Sequence, residues 1–518
     1  MSSKMNGAES LVNTLLANDV RVCFTNPGTS EMHFVAALDH IAGMRSVLVL
    51  QEGVATGAAD GYYRMAGKPA STLLHLGPGL ANGVSNLHNA KKAGSGIVNI
   101  IGEHASTHIA LDAPLTSDIE GIARPVSHWV RTSQSARTVG KDAAEAVQAA
   151  KVTPGQIVSL ILPSDTAWDE GGLVHGELTA SFPPLFDQES LIRAAEMLNG
   201  PETLLLLGGT ALTESNLQVA GRIAAKTGCY LLSEWSNARL ERGAGRVSID
   251  RVPYPIDIAL KVLEPFKRIV LIGARAPVGF FAYPEKPAIL TRKGAEILTL
   301  ADVSADLTAT LNALSDATCS CDSTPVNLAS AELPERPNGP INLNTLAALI
   351  ARSIPENAII VDESVTTGRA FFPATKGAAK HTWLNNCGGS IGYCLPAAIG
   401  AAIACPDRRV MALTGDGSAM YTVQALWTMA RENLDVTTLV FANRSYAILR
   451  GELTNVGVGN PGPRAIDMLS LDRPALDWVD MARSMGVSAV RVTDCEGLES
   501  ALADGLACHG PNLIEIVL

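Results

Sequence analysis

"RVMALTGDGSAMYTVQALWTMARENLDVTTLVFAN", residues 409–443, decides the fold class of this chain. It opens on an apolar run, RVMALT, that exits through Gly415-Asp416-Gly417-Ser418. TVQALWTMAREN, Thr422 to Asn433, has the spacing of a helix, and VTTLVFAN reads as a second apolar strand closing on Asn443. Strand, polar exit, helix, strand is the unit of a parallel sheet, and it brings Asp416 and Asn443 to one carboxyl edge. A carboxylate and an amide oxygen there suit Mg²⁺, a hard cation that takes oxygen ligands and keeps room for phosphate oxygens. The glycines let the backbone N–H groups of Gly417 and Ser418 approach a diphosphate at the positive end of the following helix.

The same grammar extends outward from this stretch. RSVLVL, STLLHL and GIVNIIG in the N-terminal part, ETLLLLGG, RIVLIGA and AEILTL in the middle, and NAIIVDES nearer the C-terminus are short apolar runs alternating with helical patterns. Two stretches lose that periodicity and gather Gly, Pro, Ser and acidic residues, Asp165 to Asp187 and Cys319 to Pro340. They divide the chain into an N-terminal domain (1–170), a middle domain (188–318) and a C-terminal domain (340–518). The expected fold class is α/β, three doubly wound parallel-sheet domains with their chemistry at polar strand ends.

Composition removes several function classes. With 40 Lys and Arg against 51 Asp and Glu, the net charge of −11 argues against nucleic acid and against an anionic membrane as partners. Nine cysteines are scattered, and Cys319-Ser320-Cys321 lacks the two-residue gap of a zinc or redox motif, so a reduced, cytoplasmic setting is expected. The N-terminus reads as an amphipathic helix and not a signal peptide, and no apolar run is long enough to span a bilayer.

A second candidate site lies in "LVLQEGVATGAADGYYRMAGKP", residues 48–69. Glu52 falls just past an apolar strand and before a helix of small residues, where a carboxylate can complement a helix dipole or handle protons. With the GDG…Asn spacing, this segment resembles those of thiamine-diphosphate enzymes of the benzoylformate decarboxylase and acetolactate synthase large-subunit type. "FTNPGTSEMHF", "LLHLGPGLANGVSNLHNA", "ARPVSHW", "VDESVTT" and "GGSIGYCLPAAIGAAIA" extend the resemblance over nearly the whole chain.

The resemblance implies a set of roles. The N-terminal domain would bind the aminopyrimidine of thiamine diphosphate, with Glu52 hydrogen-bonded to that ring. The C-terminal domain would bind the diphosphate through Mg²⁺ held by Asp416, Asn443 and the carbonyl of Ser445, with Gly415, Gly417 and Ser418 around it. The usual Asn-Asn ending is Ala442-Asn443 here. Ile391 would hold the cofactor bent, Gly389 would accept from its amino group, and Ser364 and Thr366 would contact the diphosphate. Ile448, followed by Leu449, would lie near the reacting carbon in an apolar pocket. His75 would be an acid–base group beside Thr29, which stands where a serine is usual, and Glu103 stands where a glutamine is common. A middle-domain histidine of benzoylformate decarboxylase has no counterpart, since "RAPVGFFAYPEKP" offers Phe280, Phe281 and Tyr283.

The implied reaction is non-oxidative decarboxylation of a 2-oxo acid through a carbanion and an enamine, or carboligation of that enamine to a second carbonyl compound. The implied assembly is a homodimer or homotetramer with active sites between subunits. FAD in the middle domain is compatible with the fold, but "LLGGTALTESN" and "LIGARAPVG" lack a dinucleotide fingerprint.

Overall fold

Three sheets organise the chain in this computed structural model, which describes residues 5–179 and 182–518. The first holds β1 (Val22–Asn26), β2 (Arg45–Leu48), β3 (Ala70–Leu74), β4 (Ile97–Glu103), β5 (Trp129–Thr132) and β6 (Ile157–Pro163), in the order β2-β1-β3-β4-β6-β5. All its pairings are parallel. The middle segment supplies β7 (Thr203–Leu207), β8 (Tyr230–Ser233), β9 (Arg239–Arg242), β10 (Asp250–Arg251), β11 (Arg268–Ile272) and β12 (Glu296–Ala301). Five of these form a parallel sheet in the order β10-β8-β7-β11-β12.

The third sheet contains β13 (Ala358–Glu363), β14 (His381–Asn385), β15 (Val410–Gly415), β16 (Val436–Ala442), β17 (Ser488–Val492) and β18 (Asn512–Val517). Its order is β17-β18-β16-β15-β13-β14-β9, so β9 leaves the middle segment and closes this edge antiparallel to β14. The α/β class and the three doubly wound sheets are those expected from the apolar runs, and the antiparallel β9 edge departs from an all-parallel pattern.

Burial follows from this layering. β4, β6 and β16 are buried along their whole length, as strands covered on both faces must be. Along β4 the pleat alternates: Ile97 and Ile101 enter one core, Val98 and Ile100 another. The first of these cores runs without a break into the third sheet, reaching Ile359, Leu395 and Val410. The helices Glu52–Ala66 and Cys394–Ala404 make that junction. A Cβ on Gly61 would stand 2.1 Å from the carbonyl oxygen of Ala397, and one on Gly400 would stand 1.9 Å from that of Ala58. Only glycine permits such close helix contact. Beside it Arg64 pairs with Asp60 at 2.6 Å, both buried, and donates to the Asn385 carbonyl at 2.6 Å.

One local expectation is corrected. Helical backbone does not wait for Thr422; it begins at Asp416 with a turn to Ala419, tightens through Met420–Thr422 and continues over Ala425–Arg431. Gly415 is extended and caps the start, while the Gly417 N–H donates to Asp416 Oδ1 at 2.9 Å and draws the chain into its first turn. The run ends before Asn433, whose φ of 48° is left-handed. The expected N-terminal helix spans Gly7–Ala17 and is capped by Asn6 with Glu9 in return. Among the described residues no helix is long and apolar enough to cross a membrane.

Candidate active site

Strand order locates the site. In the third sheet the chain runs from β13 outward to β14 and then returns to β15 on the other side, which makes the β13/β15 boundary a topological switch point. Asp416 leaves β15 there. Its carboxylate is 3% exposed, and it accepts from Gly417 N–H through Oδ1 at 2.9 Å and from Arg444 N–H through Oδ2 at 2.7 Å. Burial pushes its carboxyl above the usual range. Asn443 follows the neighbouring β16, in register with the end of β15, and its Oδ1 accepts from Ser445 N–H at 3.0 Å. Arg444 between them is left-handed, with φ of 53°. Among the described residues the carbonyl of Ser445 accepts no hydrogen bond.

This donor set fits Mg²⁺. Each carboxylate oxygen of Asp416 keeps a lone pair beyond its one backbone bond, and the Asn443 and Ser445 oxygens lie on the same turn. Among the described residues no cluster of three His, Cys, Asp or Glu side chains offers an alternative metal site. Gly417 is required sterically, since a Cβ there would stand 2.6 Å from the Tyr446 ring. Gly415 and Ser418 stand at the start of the same helical run.

Behind the turn, a residue not singled out from the sequence organises the loop that carries Gly389 and Ile391. Glu363 ends β13, fully buried, and accepts from the N–H groups of Gly392, Tyr393 and Cys394 and from Asn386 Nδ2, at 3.1 to 3.3 Å. Burial pushes its carboxyl up to about 7. It thereby fixes the turn that carries Gly389, which has φ of 78°, and Ile391. Ser364 is buried, with its hydroxyl donating to Asp362 Oδ1 at 2.5 Å, so the structure turns it inward; Thr366 is half-buried on the following turn.

The N-terminal half-site is also at a switch point, between β1 and β3. Glu52 opens the helix Glu52–Ala66, 9% exposed, and accepts from Asn82 Nδ2 at 3.0 Å. His75 follows β3 and Thr29 follows β1, two strands whose last residues are in register, Asn26 opposite Leu74. Thr29 is exposed at the start of a tight turn that ends in Glu31. The Glu31 carboxylate, 1% exposed, meets His75 Nδ1 at 2.8 Å and Gly28 N–H at 2.7 Å. Glu103 ends the adjacent β4, and burial raises its carboxyl above the usual range.

Helix Leu76–Ala93 ties the halves of one chain together. Asn82, Asn86 and Asn89 recur on one of its faces: Asn82 holds Glu52, Asn86 donates to the Gly392 carbonyl at 3.2 Å, and Asn89 to that of Ser390 at 2.9 Å. A polar stripe at helical spacing in "LANGVSNLHNA" was the available signal. The middle domain's glycine-rich strand ends pack closely against each other. A Cβ on Gly208 would stand 2.3 Å from the Gly273 carbonyl and 2.7 Å from the carboxyl of Glu234, which burial pushes up to about 7.

Residues 5–122 match the family described as "Thiamine pyrophosphate enzyme, N-terminal TPP binding domain", and residues 363–516 match its "C-terminal TPP binding domain". The chain is 48% identical over 515 residues to the Mycobacterium tuberculosis protein named "Putative acetolactate synthase large subunit IlvX", covering 99% of each. It is 29% identical over 526 residues to benzoylformate decarboxylase of Pseudomonas aeruginosa, covering 95% of each. Among solved structures, the thiamine diphosphate-dependent 4-hydroxybenzoylformate decarboxylase of Rhodococcus jostii RHA1 superposes with a TM-score of 0.86 at 25% identity, over 99% of this chain and 98% of that one.

Proposed function

The chain belongs to the thiamine pyrophosphate enzymes, related both to acetolactate synthases and to benzoylformate decarboxylases, and on that premise we propose that it is a Mg²⁺-dependent lyase that decarboxylates a 2-oxo acid without oxidation. Thiamine diphosphate, when bound, supplies the electron sink that loss of carbon dioxide requires. Asp416, Asn443 and the Ser445 carbonyl would hold the Mg²⁺, with Gly415, Gly417 and Ser418 around the diphosphate. Gly389, Ile391, Thr366 and Ile448 would line the rest of the cofactor site, with the Ser364 hydroxyl turned inward onto Asp362 behind them. Glu52 would hold a proton against the aminopyrimidine ring, with Asn82 fixing the carboxylate at 3.0 Å.

The observation that carries the decarboxylase reading is the oriented imidazole. Nδ1 of His75 is engaged by buried Glu31, which leaves Nε2 to give or take a proton next to Thr29. A second reading is favoured by the 48%-identical relative, whose name is that of an acetolactate synthase: ligation to a second 2-oxo acid or aldehyde. Both start with the same loss of carbon dioxide. Assembly as a homodimer or homotetramer is supported by exposed apolar groups beside both half-sites: Leu50 at 48%, Met420 at 36%, Tyr421 at 57% and Leu449 at 44%.

The test is carbon dioxide release and product NMR with the Mg²⁺ and thiamine diphosphate-loaded protein, given pyruvate and benzoylformate separately. Benzaldehyde from benzoylformate supports the decarboxylase. Acetolactate from pyruvate assigns the carboligase. Absence of carbon dioxide from either, and from other 2-oxo acids, overturns the reading.

A further inference from the structure

One face of the helix Leu76–Ala93 lies directly on the loop 386–392, so closely that a Cβ on Gly388 would stand 2.5 Å from Asn89 Oδ1. Three side chains of that face take the carbonyls of alternate loop residues. His88 Nε2 meets the Gly388 carbonyl at 3.1 Å, Asn89 Nδ2 donates to that of Ser390 at 2.9 Å, and Asn86 Nδ2 donates to that of Gly392 at 3.2 Å. Asn89 is the pivot. It is fully buried and holds Ser390 at both ends, since its Oδ1 also accepts from the Ser390 N–H at 3.1 Å. The second hydrogen of its Nδ2 goes to Asn86 Oδ1 at 3.0 Å, which locks the two amides in one orientation.

Pinning alternate carbonyls singles out the residue between them. Gly389 is exposed, has φ of 78°, and spends its N–H on Asn386 Oδ1 at 2.9 Å. Among the described residues its carbonyl accepts no hydrogen bond. The loop therefore offers one unspent backbone acceptor whose two neighbours, Gly388 and Ser390, are both tied to the helix. Its complement is a ligand N–H donor. Such a donor meets an acceptor already in place, so little of the bond is lost to ordering the loop.

We propose that Asn89 is a positioning residue for the cofactor. By clamping Ser390 at its N–H and its carbonyl, with His88 and Asn86 holding the carbonyls on either side, it fixes the Gly389 carbonyl as the acceptor for the amino group of the cofactor's aminopyrimidine. The assignment rests on the reading of this loop as part of the thiamine diphosphate site. Asn89 acts through the loop: without its amide the Ser390 N–H is unpaired, its carbonyl keeps only Asn386, and the Gly389 carbonyl is no longer held in one place.

The experiment titrates thiamine diphosphate and its 4′-deamino analogue, with hydrogen in place of the amino group, into the protein in the presence of Mg²⁺, with calorimetric detection. The wild type is expected to bind the parent about tenfold tighter than the analogue. Asn89→Leu, close in volume and without the amide, brings that ratio to about one. His88→Ala, a change at an exposed side chain, lowers it by about two- to threefold. A wild-type ratio near one overturns the assignment. So does Asn89→Leu leaving the ratio at its wild-type value, whether both affinities fall together, the signature of a clamp that serves stability alone, or neither moves. If Asn89→Leu does not fold, His88→Ala decides: a lowered ratio supports the assignment and an unchanged one overturns it. Failure of the wild type to bind thiamine diphosphate removes the premise and the proposal with it. Turnover is scored apart: if no 2-oxo acid loses carbon dioxide while the ratio depends on Asn89, the reaction is misread and the positioning role stands.

Discussion

Nδ1 of His75 and Oε2 of Glu31 lie 2.8 Å apart, with the imidazole laid flat against Gly28, where a Cβ would stand 2.2 Å from Nδ1. Two separate features thus fix one ring. The carboxylate accepts from Nδ1, which assigns the neutral ring the tautomer with a free Nε2.

Glu31→Gln is predicted to break that assignment. Gly28 N–H and His75 Nδ1 both meet Oε2, so an amide NH₂ placed at that position turns toward Nδ1, forces the proton onto Nε2 and gives up the Gly28 N–H bond. Activity is expected to fall about tenfold or more, and His75→Ala about a hundredfold, the usual scale of acid–base catalysis. ¹⁵N NMR of the His75 ring in Glu31→Gln reads the tautomer directly. A ring unchanged in tautomer, with activity lost, would refute the orienting role.

Glu52→Gln should abolish turnover while the protein still binds thiamine diphosphate. Asn82→Ala is expected to give a smaller loss, about tenfold, since it frees the Glu52 carboxylate without removing it. Calorimetric titration of cofactor separates the two effects. Full turnover in Glu52→Gln would refute the proton-holding role.

Much of this site was legible before any fold was seen, and the reason is local. Asp416, Asn443, Glu52 and His75 each follow an apolar run directly, so the strand pattern itself placed them at a carboxyl edge. Glu31, Asn82 and Glu363 were not legible as partners. Each acts across a separation that no periodicity encodes: Glu31 on His75 over 44 residues, and Asn82 on Glu52 over 30. The pairing of β9 with β14 was hidden for the same reason, since a strand's sequence does not name its neighbour.

Asp416→Ala is predicted to uncouple folding from ligand. The buried carboxylate is costly without a cation, as its raised carboxyl pKa indicates, so the variant without ligand should melt at or above the wild-type temperature. Wild type with Mg²⁺ and thiamine diphosphate at about a hundred times the dissociation constant should gain roughly 2.7 kcal/mol, and the variant should gain little of it. Thermal melts with and without both ligands decide it. An equal ligand-induced shift in the variant would remove Asp416 from the metal site.

Gly400→Ala should destabilise by about 1–3 kcal/mol or more, because its Cβ would meet backbone atoms, the Ala58 carbonyl oxygen at 1.9 Å and the Tyr62 nitrogen at 2.4 Å. Neither can swing aside. Since Glu52 heads the displaced helix, activity should fall with stability. Gly451→Ala is the contrast: it lies in the helix Ala447–Asn455 with nothing within 4 Å of its Cβ, and should be neutral or stabilising by up to about 1 kcal/mol. Urea unfolding of both variants tests the difference, and equal midpoints would show that the helix junction is looser than the contact distances imply.

Glu363 makes stability depend on pH, with a sign opposite to that of an ion-paired carboxylate. Its carboxyl titrates near 7 when folded and near 4.5 when free, so between those values the folded chain holds a proton that the unfolded chain has released. The slope of unfolding free energy with pH follows protons bound unfolded minus protons bound folded, which is negative here. The Glu363 contribution is therefore most favourable below about pH 4.5 and is lost as pH rises through about 7, by an order of 3 kcal/mol in all. Glu363→Gln cannot titrate and cannot accept from all four donors that converge on the carboxylate. It should be less stable than wild type at pH 5 and closer to it at pH 8. Urea midpoints at the two pH values make the comparison, and a difference between the proteins that grows toward pH 8 would mean that the four donors keep Glu363 ionised in the folded chain.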